Sequence, residues 1–143
     1  MNKNGEIILI DDDRDDLDVL LEAFKSLNPS NDIKLFDNGR TALEYLKSPK
    51  VRPFLVISDI NMPIMDGFEI RQHIQRDNEL KYKCIPYLFL STSTAPSVVR
   101  QAYNLSVQGV FLKPNTFLEL TGILQSILHY WSNCKAPNRD PVS

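Results

Sequence analysis

The chain lacks most of the features that would assign a class directly. Only two cysteines, Cys84 and Cys134, occur in 143 residues. They lie far apart with no metal-ligand spacing around either, which excludes a disulfide framework or a zinc module and fits free thiols in a reducing compartment. The two histidines, His73 and His129, have no nucleophile or metal partner in sequence reach. A net charge of −2 provides no basic field for nucleic acid or an anionic membrane. No apolar run approaches the ~20 residues of a membrane span, and the polar start Met1-Asn2-Lys3-Asn4-Gly5 has no secretory leader. Internal repeats and low-complexity segments are also absent. What remains is ordinary, with 43% hydrophobic and 24% charged residues. The expectation is one cytoplasmic globular domain, with neither nucleic acid nor membrane as a partner.

The apolar residues are organised in two alternating patterns. Ile7–Ile10, Phe54–Ser58 and Pro86–Leu90 are short continuous runs that read as strands covered on both faces. Ile33 and Leu35 alternate with polar residues in a half-exposed edge strand, and Val110–Leu112 makes a fifth. Between the runs, apolar residues recur at helical spacing. One such stripe is Leu17, Leu20, Leu21, Phe24 and Leu27, and another is Ala42, Leu43 and Leu46. Phe68, Ile70 and Ile74 follow in a helix from about Gly67 to Arg76. The segment Asp77–Lys83 reads as a polar link. Val98, Val99, Ala102 and Tyr103 mark a helix started by Thr94 with Pro96 in its first turn. The last helix carries Phe117, Leu120, Ile123, Leu124, Ile127, Leu128 and Trp131 behind a Thr116/Glu119 capping box. Asn28-Pro29 and Asn38-Gly39 are stop and cap signals, and Asp66 is a good N-cap. Five strands alternating with five helices predict an α/β, doubly wound parallel sheet with helices on both faces. The domain spans 5–131, and a tail of 132–143 with Pro137 and Pro141 is expected to fray.

Parallel strands place all their carboxyl ends on one edge, where open α/β sheets put their chemistry. Asp11 and Asp12 follow the first strand, Asp59 the third, Ser91 the fourth and Lys113 the fifth. If the first and third strands are neighbours, Asp11, Asp12 and Asp59 share one pocket. Like charges at that distance raise one another's pKa values, and a hard divalent cation such as Mg²⁺ resolves the conflict with oxygen ligands. Lys113 supplies an opposing positive charge able to hold a phosphoryl group. The set favours phosphoryl transfer to a carboxylate, which is already ionised and needs only positioning and charge neutralisation.

Ile7–Asp12, Ser58–Gly67, Leu88–Ser91 and Val110–Pro114 together resemble the receiver domain of two-component response regulators. The match runs from about Gly5 to Trp131, with four motifs in the right order at the right strand ends. The resemblance implies a flavodoxin-like sheet of order 2-1-3-4-5, and Asp59 as phosphoacceptor. It implies Asp12 as a direct Mg²⁺ ligand, Asp11 acting mainly through water, and Asn61 contributing its backbone carbonyl. Ser91 would be the switch hydroxyl and Lys113 the phosphate-binding lysine, with a cis Lys113-Pro114 bond. The donor would be a phosphohistidine on a sensor histidine kinase. Such a protein is a signalling phosphoprotein rather than an enzyme, with at most self-phosphotransfer and autodephosphorylation.

Two departures stand out. Three places before the lysine, where most family members carry an aromatic, stands Val110, while Phe111 points to the opposite face. This puts the usual aromatic rotamer switch in doubt. Ser91-Thr92-Ser93-Thr94, Tyr103-Asn104-Leu105 and the long last helix resemble the small stand-alone receivers found beside phytochrome-type kinases. The residues after Trp131 are too few for a DNA-binding output domain. Signalling is therefore expected through a surface, in this family the face of the fourth helix, fifth strand and fifth helix, to a downstream protein or along a phosphorelay. Some relatives also form homodimers through that face.

Three rival readings are weaker. Asp11, Asp13, Asp15 and Glu22 match calcium-loop ligand positions, but Asp16 stands where that loop needs glycine. Asp13, Asp15, Asp16 and Asp18 read instead as a solvated helix start. Ile10–Asp13, Leu90-Ser91 and Lys113 resemble motifs of haloacid-dehalogenase phosphatases, yet only Glu119 and Asp140 remain for the further acidic pair that fold needs. A receiver-like partner-binding module that works without phosphorylation is disfavoured by the complete acid set.

Overall fold

The computed structural model describes residues 1–137. Its elements are β1 (Ile7–Ile10), α1 (Arg14–Ser26), β2 (Ile33–Phe36), α2 (Gly39–Lys47), β3 (Leu55–Ser58), α3 (Gly67–Arg76), α4 (Asn78–Tyr82), β4 (Tyr87–Ser91), α5 (Pro96–Asn104), β5 (Gly109–Leu112) and α6 (Phe117–Asn133). The five strands are parallel in the order β2-β1-β3-β4-β5, with helices on both faces, so the flavodoxin-like architecture expected from the sequence is the one observed.

Each strand alternates its side chains between two cores. Ile8, Ile10, Val56, Tyr87 and Phe89 face a core closed by Ala42, Leu43 and Leu46 of α2, Phe68, Ile70 and Ile74 of α3, Leu80 of α4 and Ala102 of α5. Ile7, Leu9, Leu55, Ile57, Leu88 and Leu90 face the other core, closed by Leu17, Leu20, Ala23 and Phe24 of α1 and Leu120, Leu124 and Ile127 of α6. Burial on both faces is why these runs read as continuous rather than alternating. Val110 packs into the first core and Phe111 against the second, the opposite facing expected for this pair.

Capping explains most boundaries. Asn38 accepts from the Thr41 amide, and Thr116 from the Glu119 amide. Asp66 and Glu69 form a reciprocal capping box at the start of α3. Leu27 closes α1, and Asn28 behind it adopts a left-handed φ of 52°.

Three local expectations are corrected. The supposed link after Arg76 contains the short helix α4, because Asp77 ends α3 and its carboxylate at once caps the Glu79 and Leu80 amides. Helix α5 starts at Pro96 behind Ala95 with no side-chain cap, so Thr94 does not serve as one; the fixed φ of proline at the first turn suffices. The Lys113-Pro114 peptide is trans, as are all peptides among the described residues. Trans is favoured by about 0.5–1 kcal/mol before proline, and Lys113 reaches its partners without the cis form. Helix α6 itself ends at Asn133. Of the expected tail, Pro141 lies outside the described residues.

Candidate functional site

The first and third strands are adjacent, with Ile10 opposite Ser58. That register delivers Asp11 and Asp59 side by side at the carboxyl edge, where the Asp59 amide donates to the Ile10 carbonyl at 2.9 Å. Asp11 is almost wholly buried, while Asp12, the next residue, is exposed. Carboxylate oxygens of Asp11, Asp12 and Asp59 all lie within 4.8 Å of one another.

Lys113 leaves the end of β5, and its backbone amide donates to the Ser91 carbonyl at 2.7 Å. Its ammonium reaches across the edge to Asp11 Oδ2 at 3.0 Å, Asp16 Oδ2 at 3.0 Å and Asp59 Oδ2 at 3.5 Å. Burial works against its charge, but hydrogen bonds to Asp11 and Asp16 and the nearby Asp59 charge outweigh it, so its pKa is raised. Asp59 and Asp11 also have raised pKa values. Desolvation is the main cause for both. Lys113 opposes the rise at each, as do the backbone hydrogen bonds from Ile60 to Asp59 and from Asp13 to Asp11.

Two details hold Asp59 in place. Its Oδ1 accepts from the Ile60 amide at 2.8 Å. The following loop folds back so that the Gly67 amide donates to the Ile60 carbonyl at 2.7 Å. A Cβ on Gly67 would collide with the Asp59 carbonyl and come within 2.8 Å of Phe89 Cε1 and 3.0 Å of Ile60 Cα, so only glycine fits this approach. In the same loop Ile64 is 94% exposed at φ 70°, an unusual conformation for a β-branched residue.

The donor set suits a hard divalent cation. It is all oxygen and carboxylate-rich, with Asp12 exposed, which is the pattern of a hard cation rather than that of a soft metal. Asn61 lies exposed two residues beyond Asp59 in the same loop. Ser91 ends β4 fully buried. Its hydroxyl donates to the Ser93 carbonyl at 3.1 Å and accepts from the Ser93 amide at 3.1 Å.

Comparison with known proteins decides the family. Residues 7–125 match the response regulator receiver domain. The chain belongs to that family. This receiver is 30% identical over 129 residues to the probable methanogenesis regulatory protein FilR2 of Methanothrix harundinacea (strain 6Ac), covering 87% of this chain and 82% of that one. Among solved structures it resembles the phosphorylated cyanobacterial phytochrome response regulator RcpA, with a TM-score of 0.83 at 27% identity over 94% of this chain and 99% of that one. It also resembles the Mn²⁺-bound form of the response regulator Rcp1, with a TM-score of 0.79, 27% identity and the same two coverages. Membership makes this receiver a component of two-component signalling rather than a conventional enzyme. Among the described residues no helix is long and apolar enough to cross a membrane.

The structure brings together Asp11, Asp12, Asp59 and Lys113, and sets Ser91 beside them through the Lys113 amide. Sequence reasoning missed Asp16, which it placed among solvated acids, although its carboxylate touches the receiver's lysine. The available signal was spacing. Asp16 stands four and seven residues before Leu20 and Ala23, at the edge of the buried stripe of α1. Two structural cations were missed as well. The Lys83 ammonium donates to the carbonyls of Leu46, Ser48 and Val51, and the buried Arg71 donates to those of Leu105 and Ser106. Backbone acceptors carry no sequence signature, so neither was legible.

Proposed function

We propose that this receiver accepts a phosphoryl group on Asp59 from a phosphohistidine of a sensor histidine kinase, with Mg²⁺ as cofactor, and signals by protein contact or phosphorelay. One observation carries the reading: the Asp59 carboxylate is grouped with those of Asp11 and Asp12 within 4.8 Å and faces the Lys113 ammonium at 3.5 Å. In the transfer, an Asp59 oxygen attacks phosphorus as the bond to the histidine nitrogen breaks and the electron pair leaves with the imidazole. A carboxylate nucleophile needs no general base to deliver its oxygen. Asp12, Asp59 and the Asn61 carbonyl, with Asp11 mainly through water, would hold Mg²⁺, which would supply charge neutralisation for the transferring group. Lys113 stays protonated and offers its N–H donors to the phosphoryl oxygens. Ser91 can join them only by giving up its bonds to Ser93. Asp11 is the poorer nucleophile, since it is more deeply buried than Asp59 and held closer to Lys113, at 3.0 against 3.5 Å.

The product carries about two negative charges where the free carboxylate carried one, and the ends of β4 and β5 are the elements that respond. Next to them Tyr103, Leu112, Phe117 and Leu118 are exposed on α5, β5 and the start of α6, a surface suited to a downstream protein or a second copy. With Val110 packed inward, no aromatic swing at that position contributes. We place the protein in the cytoplasm, acting without nucleic acid or membrane contact, on its net charge of −2 and the lack of a membrane-length apolar helix among the described residues. The test is phosphorylation by a small acyl-phosphate or phosphoramidate donor with Mg²⁺. Labelling of wild type and none of Asp59→Asn is the expected result, and equal labelling of both overturns the assignment.

A further inference from the structure

We propose that Asp16 is a positioning residue. Its carboxylate gives the Lys113 ammonium a partner outside the cation-binding oxygens, so that a divalent cation can take Asp11 and Asp59 without leaving the ammonium unpaired. The inference rests on the cation-site reading given above. Lys113 has three carboxylates in reach, at 3.0 Å (Asp11), 3.0 Å (Asp16) and 3.5 Å (Asp59). Two of them belong to the group of oxygens that would bind the cation, and Asp16 alone does not. Without Asp16, every carboxylate neutralising the ammonium would also be a cation ligand, and the two positive charges would compete for the same oxygens. With it, Lys113 keeps a partner when the cation arrives and stays poised beside the pocket.

The position of Asp16 is built into the start of α1. Asp13 caps the helix, and its Oδ1 accepts from the amides of both Asp15 and Asp16 at 2.9 and 3.3 Å. The Leu17 amide bonds the Asp13 carbonyl, and Leu17 is fully buried beneath that turn. Asp16 therefore follows directly from a capped, anchored turn. Its side chain is 46% exposed, so water reaches its remaining oxygen. Asp15, one residue earlier, carries the same charge, is exposed and makes no ion pair with Lys113, which makes it a matched control.

The test is calorimetric Mg²⁺ titration of the full chain. Asp15→Asn is expected to weaken Mg²⁺ less than twofold. Asp16→Asn is expected to weaken it about three- to fivefold beyond that, the scale of a half-exposed ion pair. In a Lys113→Met background this excess disappears and Asp16→Asn matches Asp15→Asn. Asp16→Ser, which deletes the carboxylate with a different group, gives the same Lys113-dependent loss. In the unliganded protein the ¹⁵Nζ resonance of Lys113 shifts in Asp16→Asn and not in Asp15→Asn. Equal losses for the two aspartates, or an Asp16→Asn loss that persists undiminished in Lys113→Met, overturns the inference while the cation site stands. A wild-type protein that takes up no Mg²⁺ overturns both.

Discussion

Replacing Asp59 with asparagine should make the metal-free protein more stable while abolishing its response to Mg²⁺. The carboxylate is 11% exposed and grouped with two others within 4.8 Å. At an effective dielectric of about 20, each such pair repels by roughly 3 kcal/mol. Lys113, at 3.5 Å, cancels about one pair's worth, and the Ile60 amide offsets part of the desolvation. Because the Asp59 pKa is nevertheless raised, the ionised form is a net liability to the fold. Between the unfolded and folded pKa values the folded state binds more protons than the unfolded one. Stability from this group therefore falls as pH rises through that interval, and the deficit is complete above it. An isosteric amide removes it, for a gain of about 1–2 kcal/mol at pH 7 that vanishes below the unfolded carboxylate pKa. Urea unfolding at both pH values measures this directly. Added Mg²⁺ at ten times its dissociation constant should raise wild-type stability by about 1.4 kcal/mol and leave Asp59→Asn unmoved. A less stable Asp59→Asn, or one that Mg²⁺ stabilises as much as wild type, would refute the reasoning.

Further predictions concern the frame around the pocket. Gly67→Ala forces a Cβ against the Asp59 carbonyl and Phe89, and should cost about 1–3 kcal/mol in urea unfolding while weakening Mg²⁺ uptake; unchanged stability would contradict the close approach. Lys83→Met strands three carbonyls at the end of α2 and beyond it, and should destabilise by about 1–3 kcal/mol in the same assay, whereas a neutral result would mean water replaces the ammonium freely. Tyr87→Phe should be neutral or stabilising by up to about 1 kcal/mol. The Tyr87 hydroxyl is fully buried beside Ser58 without completing a hydrogen bond to it, so a clear loss of stability would reveal a partner.

The fold was legible because its strands are buried on both faces and its helices on one, so the two periodicities separate cleanly along the chain. The first and third strands had to be neighbours for the acids to meet, and the Ile10–Ser58 register makes them so. What stayed hidden depends on side chains crossing between elements. Asp16 looks like any first-turn acid until β5 delivers Lys113 to it. The helix α4 is too short to show a stripe, with Leu80 its single buried residue, and only the cap at Asp77 betrays it. Val110 and Phe111 were assigned to opposite faces by alternation alone, and the two cores confirm that assignment.

The most direct measurement is to expose the protein to a small acyl-phosphate donor with Mg²⁺, reduce the product with borohydride and map it by mass spectrometry. Reduction turns an aspartyl phosphate into homoserine. The account predicts homoserine at position 59 and at no other aspartate. Homoserine at position 11 instead, or none anywhere, would contradict it.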